Sequence, residues 1–181
     1  QVYDRFGLFG GEAKTIMAHC VYSSREEIDQ MKALGVFIAH CPQSNINVAS
    51  GIAPVRKYLD EGLRVGLGTD VAGGAHISMF RAMTDAIQVS KLYWRIVDQN
   101  TEPITMPEAF YMATIGGGSF WGKAGSFEKG YLLDAVVISD DRLPHPQPLN
   151  LEERLERVVY LSDDRDIRAK YVNGRKIDLC Q

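Results

Sequence analysis

Short apolar runs alternate with amphipathic stretches over the first hundred residues of the chain. Three of these runs carry a polar residue at or near their carboxyl end: residues 15–20 with His19, residues 36–40 with His40, and residues 63–70 with Asp70. Short, continuously apolar strands separated by helices are typical of a parallel sheet that is covered on both faces. The pattern therefore predicts an α/β fold made of successive strand–helix units.

The segments between these runs carry helix signals. Ser23 or Ser24 precedes Glu26 and Glu27, which is a typical N-terminal cap, and Gly35 supplies a stop. Apolar residues at helical spacing predict further helices over residues 53–60 and 77–97, the latter with a stripe formed by Phe80, Met83, Ile87 and Leu92. Residues 41–50 are polar and are predicted to form a loop.

The pattern changes from about Met106 onward. A helix that begins at Pro107 is expected to stop at the glycines of residues 116–118, whose spacing does not match a dinucleotide or phosphate-binding loop. A β-rich run over residues 132–138 and a helix over residues 151–160 follow. Asn173-Gly174 between two β-prone runs predicts a hairpin over residues 167–177. The last third of the chain is thus predicted to be a helix followed by a small β-rich unit.

Composition, net charge and cysteine spacing argue against several classes of function. The chain has 181 residues, 45% apolar and 24% charged, as expected of one large domain or part of a bigger protein. A net charge of −3 gives no basic surface for nucleic acid or anionic membrane, and no apolar run is long enough to span a bilayer. Three cysteines without CxxC spacing argue against a disulfide framework and favour a reducing cytoplasm.

The first residues of the chain bear on whether it is part of a longer protein. It begins at Gln1 without methionine or a signal-peptide pattern, and it reaches a core-like strand within about 15 residues. We therefore expect a piece of a longer protein whose preceding portion lies outside this chain.

The candidate chemistry lies at the three strand ends. Since the carboxyl ends of neighbouring parallel strands share one rim, His19, His40 and Asp70 are expected to lie together. Imidazole and carboxylate suit Zn²⁺ or Fe²⁺ binding, or proton transfer. Alternatives remain open for each residue. Asp70 could cap the next helix or make a turn, and His40 could be a buried histidine that holds its loop, whereas His19, between small neighbours, favours function.

The other two histidines are weaker candidates. His76 follows a glycine loop at a predicted helix start, from which it could reach the site or lie exposed, and His145 sits between prolines in a predicted surface loop. Neither GxSxG nor the zinc-deaminase pattern H-x-E with P-C-x-x-C occurs, and no cysteine lies beside an evident base.

Three motifs together resemble the C-terminal half of an amidohydrolase-superfamily enzyme. They are Met17-Ala18-His19, then Ile38 to Asn45 (IAHCPQSN), then Gly66 to Asp70 (GLGTD). Within that superfamily, the continuation Val71-Ala72-Gly73-Gly74 and the segment Tyr160 to Arg165 (YLSDDR) most resemble the guanine deaminase family.

The resemblance implies a distorted (β/α)₈ barrel with one Zn²⁺ at its carboxyl rim, Fe²⁺ being possible, and a small β-sandwich built from both chain ends. Residues 1–122 would form strands six to eight of the barrel with their helices. Residues 123–181 would form the C-terminal part of the sandwich with a helix returning to the barrel. By the same resemblance, Asp70 ligates the metal and takes a proton from the attacking water, His19 positions the reacting centre, and both contact the substrate. His40 and residues 41–45 match the pocket wall, without an assigned role.

The implied reaction is the hydrolysis of guanine to xanthine and ammonia, in a cytoplasmic homodimer of purine catabolism. The family's His-x-His pair, third histidine ligand and acid–base glutamate are not recognisable in this chain, so Asp70 is the single usual metal ligand present. The chain alone is therefore expected to be inactive without the N-terminal half. The alternatives are another aminopurine or pterin deaminase, a chlorohydrolase-like enzyme, or a non-catalytic scaffold.

Overall fold

Two three-stranded sheets form the frame of the chain, in a computed structural model that describes residues 2–178. The first sheet is parallel, in the order β1 (Ile16–Ala18), β2 (Phe37–His40), β3 (Arg64–Leu67). The second is antiparallel, in the order β4 (Ala135–Ile138), β5 (Ile167–Val172), β6 (Arg175–Ile177). The predicted α/β organisation is confirmed. Gln1 and residues 179–181, among them Cys180, lie outside the described residues.

Helices connect and cover the strands. The α-helices are α1 (Val2–Arg5), α2 (Arg25–Leu34), α3 (Pro42–Asn47), α4 (Val55–Asp60), α5 (Met79–Leu92), α6 (Met106–Tyr111) and α7 (Leu151–Leu161). Helix α5 continues into a π-helical turn at Tyr93–Val97, and α6 continues into another at Met112–Gly116. Short 3₁₀ turns lie at Ser119–Trp121 and Asp164–Asp166.

Helix α2 has the ends that its sequence predicts. The Ser24 hydroxyl accepts from the backbone N–H of Glu27, and the Glu27 carboxylate accepts from the backbone N–H of Ser24 at 2.9 Å, which completes a capping box. Gly35 ends the helix with a left-handed φ of 65°. Ile28 and Met31 face the sheet and are buried.

Helix α3 corrects the predicted polar loop over residues 41–50. Pro42 occupies its first turn, where the missing N–H costs nothing and the fixed φ suits a helix. Ser44 and Asn45 are buried in this helix, although their polar side chains suggested a loop. Their partners come from distant parts of the chain, so local sequence could not indicate that they would be buried.

The glycines at residues 116–118 do not end the preceding helix, contrary to expectation. Helical backbone continues through Gly118 into the 3₁₀ turn, and the end comes at Gly122, with a φ of 107°. A Cβ atom on Gly116 would lie 2.3 Å from the carbonyl oxygen of Val65, and one on Gly66 would lie 2.9 Å from the Cα of Gly117. These glycines therefore serve close contact between the helix and β3.

One apolar core lies between the parallel sheet and its helices. Its buried members come from α2, β2, α4, β3, α5, α6 and α7 and include Ile38, Val65, Met83, Ile87 and Val159. The predicted stripe of α5 is confirmed at Met83 and Ile87, but Leu92 is 48% exposed because the helix passes into its π-turn there. Val159 shows that α7 returns from the second sheet to this core.

A charged pair joins two of the covering helices. Arg56 of α4 donates to both carboxylate oxygens of Glu108 of α6, at 2.7 and 2.6 Å. The Arg56 guanidinium is the main reason that the pKa of Glu108 falls to about 2, so this carboxylate stays charged over the whole neutral range. Glu108 also caps its own helix by accepting from the backbone N–H of Thr105.

The predicted hairpin is confirmed between β5 and β6. Asn173 and Gly174 have φ values of 49° and 75°, the pair of positive values that a type I′ turn requires. Among residues 2–178, no helix combines the length and apolarity needed to cross a membrane. Cys20 and Cys41 are free thiols.

Gly116 and Gly117 offer a matched test of the close contact. Gly116→Ala should lower the free energy of unfolding by about 2–3 kcal/mol, because its methyl group overlaps the Val65 carbonyl. Gly117→Ala should leave stability unchanged or raise it by about 0.5 kcal/mol, because its nearest new contact is an ordinary 3.5 Å. Urea denaturation of both variants measures the difference. Equal effects of the two substitutions would contradict the packing described here.

Candidate functional site

The ends of the three parallel strands meet at one edge of the sheet. Ala18 pairs with Ala39, and Ala39 pairs with Gly66, so the strands are in step across the sheet. His19 follows β1 directly, His40 is the last residue of β2, and Asp70 lies three residues beyond β3. The predicted placement of these residues at the carboxyl edge is confirmed.

His19 and Asp70 come together at this edge. The Nε2 atom of His19 lies 3.7 Å from Oδ2 of Asp70, and both side chains are about two-fifths exposed, at 41% and 42%. Both residues have left-handed backbone, with φ values of 69° and 49°. Non-glycine residues rarely adopt this conformation, and such outliers cluster at active and binding sites.

Helix α3 holds both side chains. The hydroxyl of Ser44 donates to Oδ2 of Asp70 at 2.6 Å. Oδ1 of Asn45 lies 2.8 Å from Nδ1 of His19, and a hydrogen bond joins the two atoms. Neither residue had a role in the sequence-based prediction; the available signal was that a polar run follows a strand end that already carries a histidine.

The loop after β3 folds back onto the acid. The carbonyl oxygen of Asp70 accepts from the backbone N–H of Gly74 at 2.6 Å. A Cβ atom on Gly73 would lie 2.8 Å from the Ser44 hydroxyl and 3.0 Å from Oδ2 of Asp70, so glycine is needed for this approach. Asp70 thus takes part in a turn through its backbone, but it does not cap α5. That cap is Ser78, whose hydroxyl accepts from the backbone N–H of Arg81.

His40 does not join the other two side chains by any hydrogen bond. It is 2% exposed, and neither ring nitrogen has a partner within residues 2–178. The expected burial of His40 is confirmed, and its ring makes no hydrogen bond to the following loop within the described residues. Its carbonyl oxygen accepts from Gly68 at 2.9 Å. Burial lowers the pKa of His40 to about 4, so the ring is neutral at pH 7.

Two further histidines are exposed, and the nearby cysteine Cys41 is protonated. His76 is exposed in the loop before α5, not in its first turn, and His145 is exposed in its loop as predicted. Burial, with Asp70 adding to it, raises the pKa of Cys41 to about 11, so this thiol is protonated at neutral pH and is no nucleophile.

Few side chains at this site can bind a metal ion or transfer a proton. Within residues 2–178, no three His, Cys, Asp or Glu side chains lie close enough together to hold a metal ion. Asp70 can offer a carboxylate oxygen to a metal or accept a proton, and His19 can accept or donate one. Since catalytic zinc sites use three protein ligands, these residues fit part of a metal site and do not complete one.

Comparisons with known proteins agree with one another. The sequence profile of the amidohydrolase family matches residues 2–177. The guanine deaminase of Dictyostelium discoideum is 36% identical over 185 residues, covering 97% of this chain and 40% of that protein. The crystal structure of guanine deaminase from C. acetobutylicum with bound guanine superimposes with a TM-score of 0.92 at 51% identity, covering 98% of this chain and 42% of that one. The chain therefore spans about two-fifths of the length of these relatives.

A more distant structure is also similar. An adenosine deaminase from Xanthomonas campestris with bound zinc superimposes with a TM-score of 0.78 at 25% identity, covering 96% of this chain and 38% of that one.

The buried His40 predicts a pH dependence of stability. In the unfolded chain the ring binds a proton below about pH 6.5, whereas in the folded protein it does so only below about 4. The unfolded state therefore holds more protons in this window, and stability falls as pH drops from 6.5 toward 4, by up to about 1.4 kcal/mol per pH unit. His40→Leu should flatten this slope in urea titrations at several pH values. His145→Gln, which removes an exposed histidine, is the control, and an unchanged slope in His40→Leu would contradict the assignment.

Proposed function

We propose that this chain, which belongs to the amidohydrolase family, is part of an enzyme that hydrolyses guanine to xanthine and ammonia. The observation that carries the proposal is the His19–Asp70 pair at the strand ends, in a chain whose matched relatives include guanine deaminases along 97% of its length. Water adds to the amino-bearing ring carbon, and one of its protons goes to the adjacent ring nitrogen. The other proton passes to the amino group, so the carbon–nitrogen bond breaks with release of ammonia and the carbon becomes a carbonyl.

Asp70 is proposed as the group that accepts the proton of the attacking water. Its carboxylate is partly exposed, and Oδ2 is held in place by the Ser44 hydroxyl. His19 is proposed to position and polarise the reacting centre from the opposite side of the 3.7 Å gap. Both side chains would thereby contact the substrate, and each general acid–base group typically contributes about 10²–10⁴-fold to the rate.

The proposed cofactor is Zn²⁺, with Fe²⁺ as the alternative. Asp70 would supply one carboxylate ligand from this chain, and the other ligands would come from the N-terminal half of the enzyme. A bound divalent metal lowers the pKa of its water toward ~7 and so supplies hydroxide at neutral pH. The zinc-bound adenosine deaminase among the similar structures supports the choice of metal.

The proposed positions of the three parallel strands are those that the family resemblance implies. Strands β1, β2 and β3 would be strands six, seven and eight of a (β/α)₈ barrel, with residues 1–122 as its C-terminal portion. Residues 123–181 would complete a β-sandwich shared with the N-terminal half. The in-step parallel register and the separate antiparallel sheet support this division. We further propose that the complete enzyme is a cytoplasmic homodimer that acts in purine catabolism.

A second candidate is deamination of another aminopurine, such as an adenosine-type substrate. The TM-score of 0.78 with an adenosine deaminase favours it over unrelated reactions. A substrate panel on the complete enzyme separates the two, since a higher kcat/KM for an aminopurine nucleoside than for guanine would reject our choice. A non-catalytic scaffold is disfavoured, because such a protein has no need to hold His19 and Asp70 with dedicated hydrogen bonds.

Asp70→Asn tests the proposed acid–base role. In the complete enzyme, kcat for guanine should fall at least about 100-fold, because the amide cannot take the proton. Bound zinc should also fall, as measured by metal analysis. Asp60→Asn is the matched control, since its side chain is 60% exposed and pairs with Arg56 of its own helix. A variant at position 70 that keeps more than about a third of wild-type kcat would contradict the role.

The 181-residue chain by itself should neither hold stoichiometric zinc nor release ammonia from guanine. The reason is that three protein ligands are the rule for catalytic zinc and residues 2–178 bring no three together. Metal analysis of the dialysed chain and an ammonia-release assay test this, with the chain joined to its N-terminal half as the positive control. Activity of the chain alone would overturn the division of the site.

A further inference from the structure

Two adjacent residues of α3 hold the two candidate reactive groups. Ser44 bonds Asp70 and Asn45 bonds His19, at 2.6 and 2.8 Å. Both residues are buried, with 2% and 1% of their surface exposed, so neither side chain is free to reorient in solvent. One helical step therefore sets the distance between groups that lie 51 residues apart in sequence, at positions 19 and 70.

The same helix also fixes the loop that carries the acid. Oε1 of Gln43 accepts from the backbone N–H of Ala75 at 2.6 Å, and Nδ2 of Asn47 donates to the carbonyl oxygen of Gly73 at 2.7 Å. Asn45 alone among these side chains turns toward β1. Helix α3 thus links the end of β1 to the loop after β3.

The bond from Asn45 determines which nitrogen of the neutral His19 ring carries the proton. The structure places Oδ1 of Asn45, and not Nδ2, toward Nδ1 of His19. Because an amide oxygen accepts hydrogen bonds and cannot donate them, this placement assigns the ring hydrogen to Nδ1. Nε2 then presents its lone pair toward Asp70. Two acceptors form no hydrogen bond with each other, and the 3.7 Å gap between Nε2 and Oδ2 suits a donor, such as water or an amino group, shared between them.

We infer that Ser44 and Asn45 are positioning residues, which hold Asp70 and the Nδ1–H tautomer of His19 so that both present acceptors to one shared donor. This inference rests on the proposed function for its catalytic consequence. The assignment of the His19 tautomer does not depend on any substrate. Neither residue touches the reacting atoms; each acts through the side chain that it holds.

Substitution of Asn45 in the complete enzyme is the decisive experiment. Asn45→Leu removes the acceptor and should lower kcat for guanine about 10- to 100-fold while KM changes little, the range known for loss of a hydrogen-bond partner that orients a metal-ligating histidine. Asn45→Asp keeps an acceptor at the same place and should recover most of kcat. Ser44→Ala should lower kcat in the same way by releasing Asp70.

A spectroscopic readout separates positioning from simple stabilisation. With ¹⁵N-labelled histidine at one fixed pH, His19 should show the Nδ1–H tautomer in the wild type and in Asn45→Asp, and lose it in Asn45→Leu. The His19→Gln variant assigns the signal. Asn150→Ala is the stability control, because it removes the N-terminal cap of α7, remote in sequence from this helix, and should lower Tm without changing kcat or the tautomer.

Three outcomes of these measurements test whether Asn45 positions His19. Loss of both kcat and the Nδ1–H tautomer in Asn45→Leu supports the inference. A wild-type tautomer in Asn45→Leu, or a kcat within about threefold of wild type, overturns it and leaves Asn45 with a structural role. If the wild type does not deaminate guanine but the tautomer still depends on Asn45, the proposed function fails while the positioning of His19 stands.

Discussion

The parallel register between β1, β2 and β3 is the constraint on which the candidate site depends. Ladder hydrogen bonds place Ala18, Ala39 and Gly66 side by side, so the three strands finish at one edge of the sheet. Because side chains alternate between faces along a strand, a slip of one residue would send each terminal side chain to the other face. His19 and Asp70 therefore come together because the strands that precede them pair in this register.

The close contact behind β3 serves that register. Gly66 and Gly116 bring the continuation of α6 against the strand at distances that no Cβ atom would permit. This helix therefore supports β3, and the Arg56–Glu108 pair holds the same helix near its start. On the opposite side, β1 is only three residues long, and its end is held by the bond from His19 to the Ala39 carbonyl and by Asn45.

Local signals accounted for those elements whose ends are decided by neighbouring residues. The capping box of α2, its glycine stop and the Asn173-Gly174 hairpin are each a few residues long, and each was predicted correctly. The same rules failed for residues 41–50 and 116–118, where the deciding partners are distant in sequence. A polar run became a buried helix because Ser44 and Asn45 form hydrogen bonds with Asp70 and His19, although Nδ2 of Asn45 has no partner within residues 2–178. A glycine run stayed helical because β3 occupies the space where side chains would stand.

The sequence by itself determined the α/β class, the order of the strand–helix units and the presence of His19, His40 and Asp70 at three strand ends. Those features follow from hydrophobic periodicity and from caps and turns, which are local in range. Only the tertiary structure decided that His19 and Asp70 face each other, that His40 is buried without a partner, and that Ser44 and Asn45 hold the pair. Side-chain direction at a strand end depends on left-handed turns and on contacts between residues tens of positions apart, and neither is encoded in the residues next to them.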